Sequence, residues 1–304
     1  MSGDLATQLA EYARAHPMKP EGPVEGRVLL ADGDGLAYFC AGNDDTDPGQ
    51  ARQNLITKIQ AAMRASGASS ARVLVTAQDS NKGHRYSIAR ARPYQGQRSG
   101  GRRPKNWSYL RGVLEQGALP FPVDATITAE ADDLFGRYVT ELGPDRAVIY
   151  TQDKDMRMLP GLHLNWDSHV VVPVPEGTFE LVYDDKVYGE KWFWLQMLQG
   201  DPADNIPGLP GWFLPGDIKP RLMGPKTAET RLRDAKDRHA AWYTVLTHYE
   251  SMYGKRAKVE MAEQGALLWM RRDPASSWFD VFRSGNPLEH CQDSLFELLT
   301  RVHQ

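Results

Sequence analysis

Three short apolar runs constrain this chain more than anything else in it: residues 27–31 (RVLLA), 72–77 (RVLVTA) and 146–151 (RAVIYT). Each is continuous rather than alternating, the pattern of a strand buried on both faces of a parallel sheet. Between the first two, residues 50–66 place Leu55, Ile59, Ala62 and Met63 on one helical face. Strand, helix and strand in that order predict a βαβ unit. Residues 162–166 and 170–174 add edge strands, and 107–116 and 129–142 read as helices, the second with an acidic first turn that suits the helix dipole. From Lys191 the chain turns helical, with KWFWLQML followed by helices near 225–234, 238–252 and 257–271. The expected fold is α/β, a mostly parallel central sheet flanked by helices, with a helical C-terminal region. Residues 1–25 form a short amphipathic helix (5–16) and a lead-in broken by Pro17, Pro20 and Pro23. Residues 26–190 form the α/β core, and 191–304 the helical region.

Composition excludes several classes. With 41% apolar and 25% charged residues, the chain can bury a full core and is neither disordered nor collagen-like. No run approaches the 18 or more apolar residues of a membrane span, so no membrane partner is expected. The first twenty residues lack the basic start and apolar centre of a signal peptide. Cys40 and Cys291 stand far apart in no metal-type spacing, so a reduced, cytoplasmic chain is expected and neither thiol is assigned a role.

The net charge of −3 hides an uneven distribution. Residues 80–114 hold nine Lys or Arg and no Asp or Glu, leaving 27 basic against 39 acidic residues elsewhere. An acidic body with one basic segment suits a polyanionic ligand, although such a run also reads as a solvated surface loop. The glycines at 96, 100 and 101 argue against one rigid element there.

Four acidic clusters accompany it: Asp32 and Asp34 in ADGDG, Glu130, Asp132 and Asp133 in AEADD, Asp153 and Asp155 in TQDKD, and Asp201 and Asp204 in GDPADN. Asp32 and Asp153 each follow a predicted parallel strand, and ligands bind at that edge of open α/β sheets. Taken singly, each cluster reads as a helix cap or a turn. Taken together, carboxylates converging at one edge repel strongly unless cations stand among them. Hard oxygen donors without Cys or a His pair favour Mg²⁺ or Mn²⁺ over Zn²⁺. Two such ions can activate water and stabilise the departing oxygen of a phosphodiester.

AEADD, TQDKDM and QGDPADNIPGLPG, in that order after a strand-terminal Asp, resemble the 5′-nuclease (flap endonuclease) superfamily, particularly its phage-type 5′-exonucleases. The likeness spans roughly residues 27–235, and a late segment, EQGALLWMRR, is weakly similar to the phage branch. It implies a PIN/5′-nuclease-like fold with a helical arch at 80–115 and a helix–three-turn–helix motif that grips duplex DNA. It implies Asp32, Glu130, Asp132 and Asp133 as ligands of one metal group, with Asp153, Asp155, Asp201 and Asp204 completing a second. The family commonly has a non-acidic residue at the position of Asp34. Residues 205–211 and the following GPKTA match the duplex-gripping motif, with Gly208, Gly211, Lys226 and Thr227 near the DNA backbone and a K⁺ ion in the loop. The glycines would let N–H groups approach phosphate, and Pro225 suits a first helical turn. The basic stretch would pass the single-stranded 5′ end. There Tyr94, Trp107 and Tyr109 interleave with Arg90, Arg92, Arg98, Arg102, Arg103 and Lys105, combining backbone attraction with base stacking.

The implied activity is divalent-metal-dependent 5′-3′ exonuclease or 5′-flap endonuclease hydrolysis of DNA, extending to RNA in hybrid duplexes. Products would carry 5′-phosphate and 3′-hydroxyl ends. Implied partners are DNA with a 5′ end, flap or nick, and replication proteins, with the chain a monomer. Two departures stand out. RYSIARARPYQGQR has Ser87 and Gln95 where basic residues are expected, leaving Lys82, Arg85 and Arg90 as candidates for the scissile-phosphate contact. An insertion at 212–223 divides the duplex-gripping motif. Two rivals remain at this point. A haloacid-dehalogenase-type phosphatase would use Asp32 as nucleophile and Asp34 as general acid, but leaves AEADD, TQDKD and the basic stretch unexplained. A non-catalytic nucleic-acid-binding module would not need intact carboxylates.

Overall fold

The first apolar run becomes β1 (Val24–Asp32), at the centre of a six-stranded sheet in the order β3-β2-β1-β4-β5-β6. The other strands are β2 (Ala68–Thr76), β3 (Val123–Thr126), β4 (Ala147–Tyr150), β5 (Gly161–Leu164) and β6 (Val171–Val174). Neighbours run parallel except β6, which pairs antiparallel with β5. The computed structural model describes residues 22–98, 102–211, 218, 223–273 and 279–302. The helix expected at 5–16, Pro17, Pro20, Gly100, Gly101 and nearly all of the 212–223 insertion lie outside the described residues.

Helices, in chain order, are α1 (Gly33–Phe39), α2 (Pro48–Ser66), α3 (Arg85–Ile88), α4 (Trp107–Glu115), α5 (Ala131–Leu142), α6 (Glu190–Gln199), α7 (Pro225–Leu232), α8 (Arg238–Tyr253), α9 (Ala257–Leu268) and α10 (Leu295–Val302). Strand alternation divides the core between them. Leu29, Ala31, Val73, Val75 and Val148 join the cluster formed with α1, α2 and α4. Leu30, Leu74 and Ile149 face the cluster that contains α5 and the helices from α6 onward. The α6 segment is apolar all round, and Trp192, Phe193, Trp194, Leu195, Met197 and Leu198 are all buried, as a helix enclosed on every side requires. No helix among the described residues is long and apolar enough to cross a membrane.

Several elements had no clear sequence signal, the short helices α1 and α3 among them. Strand β3 is only VDAT, a half-buried edge strand whose Asp124 pairs with Arg72 at 2.7 Å instead of supplying an apolar run. A small antiparallel hairpin, β7 (Leu181–Tyr183) and β8 (Lys186–Tyr188), turns through Asp184 and Asp185 at φ 51° and 56°, the left-handed pair that a tight hairpin needs. Helix α10 follows the short 3₁₀ stretch Glu289–Ser294. In the basic segment, a 3₁₀ turn (Lys82–His84), the four-residue α3 and a turn around Tyr94 precede α4. Among the described residues this is a folded-over strap with short helices.

The chain order places β2 on one side of β1 and β4 on the other. A crevice outside the carboxyl ends of β1 and β4 is therefore the expected ligand position. Asp32 ends β1, and Asp153 follows β4 by three residues.

Candidate active site

Several of the carboxylates hold the local fold and also face the crevice. Asp32 caps α1, accepting from Gly35 N at 2.9 Å, while its other oxygen accepts from Thr151 Oγ1 at 2.7 Å. Asp153 caps the turn Lys154–Met158, accepting from Asp155 N at 2.8 Å. Glu130 caps α5 in a reciprocal box with Asp133. The cap reading holds for Asp32 and Asp153, each capping through one carboxylate oxygen.

The first turn of α5 separates two adjacent aspartates. Asp132 lies among Asp153, Glu130, Asp32 and Asp155; burial and these carboxylates push its carboxyl well above the usual range. No side-chain hydrogen bond to Asp132 is made among the described residues. Asp133 behaves oppositely. Arg85 grips it with two bonds, Nη1 to Oδ2 at 2.8 Å and Nη2 to Oδ1 at 2.9 Å. Glu130 N and Arg271 N also donate to it, at 3.1 and 3.3 Å. Burial opposes its charge, but Arg85 and Arg271 hold its carboxyl well below the usual range. Each Asp133 oxygen thus has two donors, which corrects the expectation of a direct metal ligand: this residue is an ion-pair anchor.

Arg85 is corrected with it. It is 1% exposed, donates also to Leu267 O and Trp269 O at 3.2 and 3.3 Å, and lies 3.3 Å from Glu130. A guanidinium so enclosed cannot reach a phosphate. Lys82 can, because it is half-buried, 3.4 Å from Glu130 and held by Gln95 Oε1 at 2.5 Å. Gln95, the departure from the family pattern, thus keeps the Lys82 ammonium at the carboxylates.

The second group is organised around Lys154. Its Nζ donates at 2.8 Å both to Asp155 Oδ1 and to Asp201 Oδ1. Burial opposes the charge, but those two carboxylates raise the ammonium above its ordinary value. Gln196 of α6 also donates to Asp155 Oδ1, at 2.7 Å. Even so, burial and the nearby Asp153 push Asp155 up to about 8. Burial likewise pushes Asp153 up to about 6, with Asp32 and Asp204 adding repulsion. Asp201 closes its own loop by a two-bond backbone bridge to Ile206, at 2.8 and 2.9 Å. Lys154 and Gln196 were missed in sequence. The signals were a lysine between two aspartates and a lone glutamine within WFWLQML.

The strap lies across this group. Tyr94 is 4% exposed and its hydroxyl lies between Glu130 at 2.7 Å and Asp204 at 2.9 Å, sharing one proton with the two carboxylates. That corrects its assignment as a DNA-stacking ring: its face is packed away and its hydroxyl orients carboxylates. Arg98 pairs with Asp204, and Gln95 N donates to Asp204 O at 2.9 Å. Arg90, Arg92, Arg102 and Arg103 are exposed, Arg102 pairing with Asp44 at 2.7 Å. Tyr109 and Tyr86 are 40% and 53% exposed, so Tyr86, absent from the sequence reading, is a ring that a base can reach. Asp34 is committed elsewhere, to Arg111 and to Thr76 N at 3.2 Å.

The loop Asp201–Gly211 is only partly as expected. Gly208 is buried at φ 60°, its N–H donates to Gln264 Oε1 at 2.9 Å, and an added Cβ would lie 2.3 Å from Gly200 N. Its glycine is required by that backbone contact, which corrects the expected N–H approach to phosphate. Gly211 is also buried. Lys226 is exposed and Thr227 half-buried in the first turn of α7, where Pro225 stands as expected.

The acidic side chains gathered at the crevice are hard oxygen donors, and such donors fit Mg²⁺ or Mn²⁺. Among the described residues no three carboxylates stand close enough to form a finished metal cage. Lys154 bridges two of them, and the crowding raises Asp132, Asp153 and Asp155. The residues fit cations of higher charge density than one ammonium supplies.

No family model matches the chain. Among curated relatives, it is 30% identical over 133 residues to a DNA polymerase I of Rhizobium leguminosarum, covering 41% of this chain and 12% of that one. It is 29% identical over 124 residues to a 5′-3′ exonuclease of Buchnera aphidicola, covering 35% and 38%. The matched stretch thus spans less than half the length of either relative. Among solved structures, the T5 5′-exonuclease with bound zinc aligns with a TM-score of 0.55 at 18% identity, over 91% of this chain and 98% of that one. The bacteriophage T5 flap endonuclease with DNA and metal ions aligns with a TM-score of 0.51 at 16% identity, over 91% and 100%. At these identities the structural likeness establishes the fold. The chain has the mostly parallel sheet, flanking helices and helical C-terminal region of the T5 5′-exonuclease, and the resemblance to the 5′-nuclease superfamily read from its motifs is borne out by named sequence relatives and by that fold.

Proposed function

We propose that this chain is a divalent-metal-dependent 5′-nuclease. It hydrolyses phosphodiester bonds of DNA at a 5′ end, flap or nick, and of RNA in hybrid duplexes, leaving 5′-phosphate and 3′-hydroxyl ends. One observation carries the reading. Asp132, with no side-chain donor among the described residues, sits among Asp153, Glu130, Asp32 and Asp155 at the sheet's carboxyl edge, beneath a basic strap. Asp32, Glu130, Asp132 and Asp153 would hold one ion, and Asp153, Asp155, Asp201 and Asp204 a second. Bound there, two Mg²⁺ or Mn²⁺ ions supply activation of water and stabilisation of the departing 3′-oxygen.

The chain's own groups do the rest. Lys82, presented by Gln95, donates to the scissile phosphate. Arg98, paired with Asp204, stands at the carboxylates where it would neutralise a phosphate of the strand. Tyr94 orients Glu130 and Asp204, and Thr151 orients Asp32. The exposed Arg90, Arg102 and Arg103 attract the single-stranded 5′ end. Lys226 and Thr227, in the first turn of α7, would carry the duplex contact of a helix–three-turn–helix grip, whose loop would hold K⁺. The enzyme works as a monomer in the cytoplasm beside replication proteins. Asp34 speaks against the phosphatase alternative, since Arg111 and Thr76 N engage both of its carboxylate oxygens.

The deciding test uses two labelled DNAs of identical duplex, one with a 5′ flap and one with a 3′ flap, in Mg²⁺. Cleavage is expected only from the 5′ side and is abolished by EDTA. Chelator-resistant cleavage, or release of phosphate from a small phosphomonoester with neither DNA cut, overturns the proposal.

A further inference from the structure

Helix α9 carries the EQGALL part of a motif that the carboxylates and the strap leave without a role. Two of its four polar residues, Glu263 and Gln264, are each 2% exposed, buried together with Met261, Ala262, Ala266 and Leu267. Burial of this kind persists only when the polar groups are fully engaged. Both are, and with functional segments. Glu263 Oε1 accepts the backbone N–H groups of Arg90 and Ala91, at 2.9 and 2.8 Å. Its other oxygen pairs with Arg301, which also donates to Ile88 O at 3.0 Å. Residues 88–91 are the root of the strap. The neighbouring Gln264 accepts the N–H of Gly208 at 2.9 Å, in the loop that carries Asp201 and Asp204.

The two anchored segments meet again over the carboxylates. Gln95 N donates to Asp204 O at 2.9 Å, Asn205 Nδ2 donates to Pro93 O at 2.9 Å, and Tyr94 bridges Glu130 and Asp204. Strap, loop and α9 therefore close a ring of hydrogen bonds, with the carboxylates on its far side. A third contact reinforces it: the chain after α9 runs so close to α5 that a Cβ on Gly136 would lie 2.0 Å from Arg271 O.

We infer that Glu263 and Gln264 are positioning residues that set the strap and the duplex-side loop in register with the carboxylates. Glu263 governs placement of the single-stranded end, and Gln264 governs placement of the duplex. The inference rests on the 5′-nuclease reading of the site. Its physical basis is that a carboxylate accepting two consecutive N–H groups fixes both the position and the direction of that backbone.

The experiment compares Glu263→Asp, Glu263→Gln and Gln264→Ala with the parent enzyme. It measures single-turnover cleavage of a 5′-flap DNA in Mg²⁺, duplex affinity in Ca²⁺ without a flap, and thermal midpoint. Glu263→Asp keeps a charge for Arg301 but withdraws from Arg90 and Ala91. It is expected to lower the saturated rate by about 10²-fold with duplex affinity unchanged. Glu263→Gln keeps the amide acceptor and loses the charge, so it should lower the thermal midpoint while cleaving near the parent rate. Gln264→Ala should weaken duplex binding roughly 3- to 10-fold with the saturated rate retained. Rate and affinity falling in parallel with the thermal midpoint across all three variants would make the two residues merely structural. A Glu263→Asp enzyme as fast as the parent would also overturn the inference. A parent enzyme inert on both 5′- and 3′-flap DNA would instead overturn the functional reading beneath it.

Discussion

Asp132 and Asp133 are neighbours on α5, yet they belong to two regions built on opposite principles. The side facing β1 and β4 is under-compensated: Asp132, Asp153 and Asp155 are all pushed upward, by burial first and by neighbouring carboxylates. The side facing the C-terminal segment is saturated, with Asp133 held by Arg85, Arg271 N and Glu130 N. One step along a helix turns a side chain by about 100°, enough to move a carboxylate from one region to the other. The difference teaches that a rigid, satisfied pair can hold a strained, unsatisfied cluster in place.

The sharpest way to break this comparison is to remove each aspartate in turn. Asp132→Ala is expected to lower cleavage by at least about 10²-fold, while the metal-free thermal midpoint stays level or rises because repulsion is relieved. Asp133→Ala strands the buried Arg85 and is expected to cost about 3–5 kcal/mol of stability, the range for breaking a buried pair. Unfolding in urea measures both. Equal stability losses in the two variants would erase the distinction between the regions.

Proton linkage sharpens it next. The folded-state values of Asp153 and Asp155, about 6 and about 8, lie above the ordinary 3.8. The folded protein therefore binds more protons than the unfolded chain between pH 4 and 8, and stability falls as pH rises through that window. Below pH 4 the contribution is fully present. Metal-free protein should accordingly melt lower at pH 8 than at pH 5, and Mg²⁺ or Mn²⁺ should restore the difference at pH 8 by binding the folded state. Asp133, lowered by Arg85, contributes in the opposite sense, its stabilisation being lost only as pH falls below its ordinary value. Calorimetry across this range with and without EDTA checks the sign; a midpoint that rises steadily from pH 5 to 8 without metal contradicts it.

The smallest effect concerns the strap. Replacing Arg98, Arg102 and Arg103 together should weaken binding to 5′-tailed DNA and reduce the slope of log affinity against log salt by up to about 2. An unchanged slope would make the strap's outer surface an ordinary solvated face, leaving only its inner residues, Lys82, Tyr94 and Gln95, in the site.

Much of the fold was legible because its signals are local. The three apolar runs became β1, β2 and β4, and the helical spacings became α2, α4, α5, α7, α8 and α9. Strand β3 escaped because four half-buried residues on a sheet edge carry no apolar run, and the β7–β8 hairpin because its turn is Asp-Asp, without the glycine that usually marks one. The four acidic clusters were legible as a group, since their order and their places after strands and before helices survive in one dimension. The role of each carboxylate was not. Asp133, Tyr94 and Gly208 match the motif in sequence, yet each is occupied by a partner far along the chain: Arg85, Asp204 and Gln264 respectively.

The sequence alone determined the principal strands and helices, the parallel core and the supply of carboxylates and cations, because hydrophobic period and motif order are properties of near neighbours along the chain. Only the tertiary structure decided which carboxylates stay open and which are neutralised. That choice depends on burial and on distances of about 3 Å between residues up to 138 positions apart, such as Arg271 N and Asp133, where the electrostatic balance is set by what packs alongside and not by what stands next in the chain.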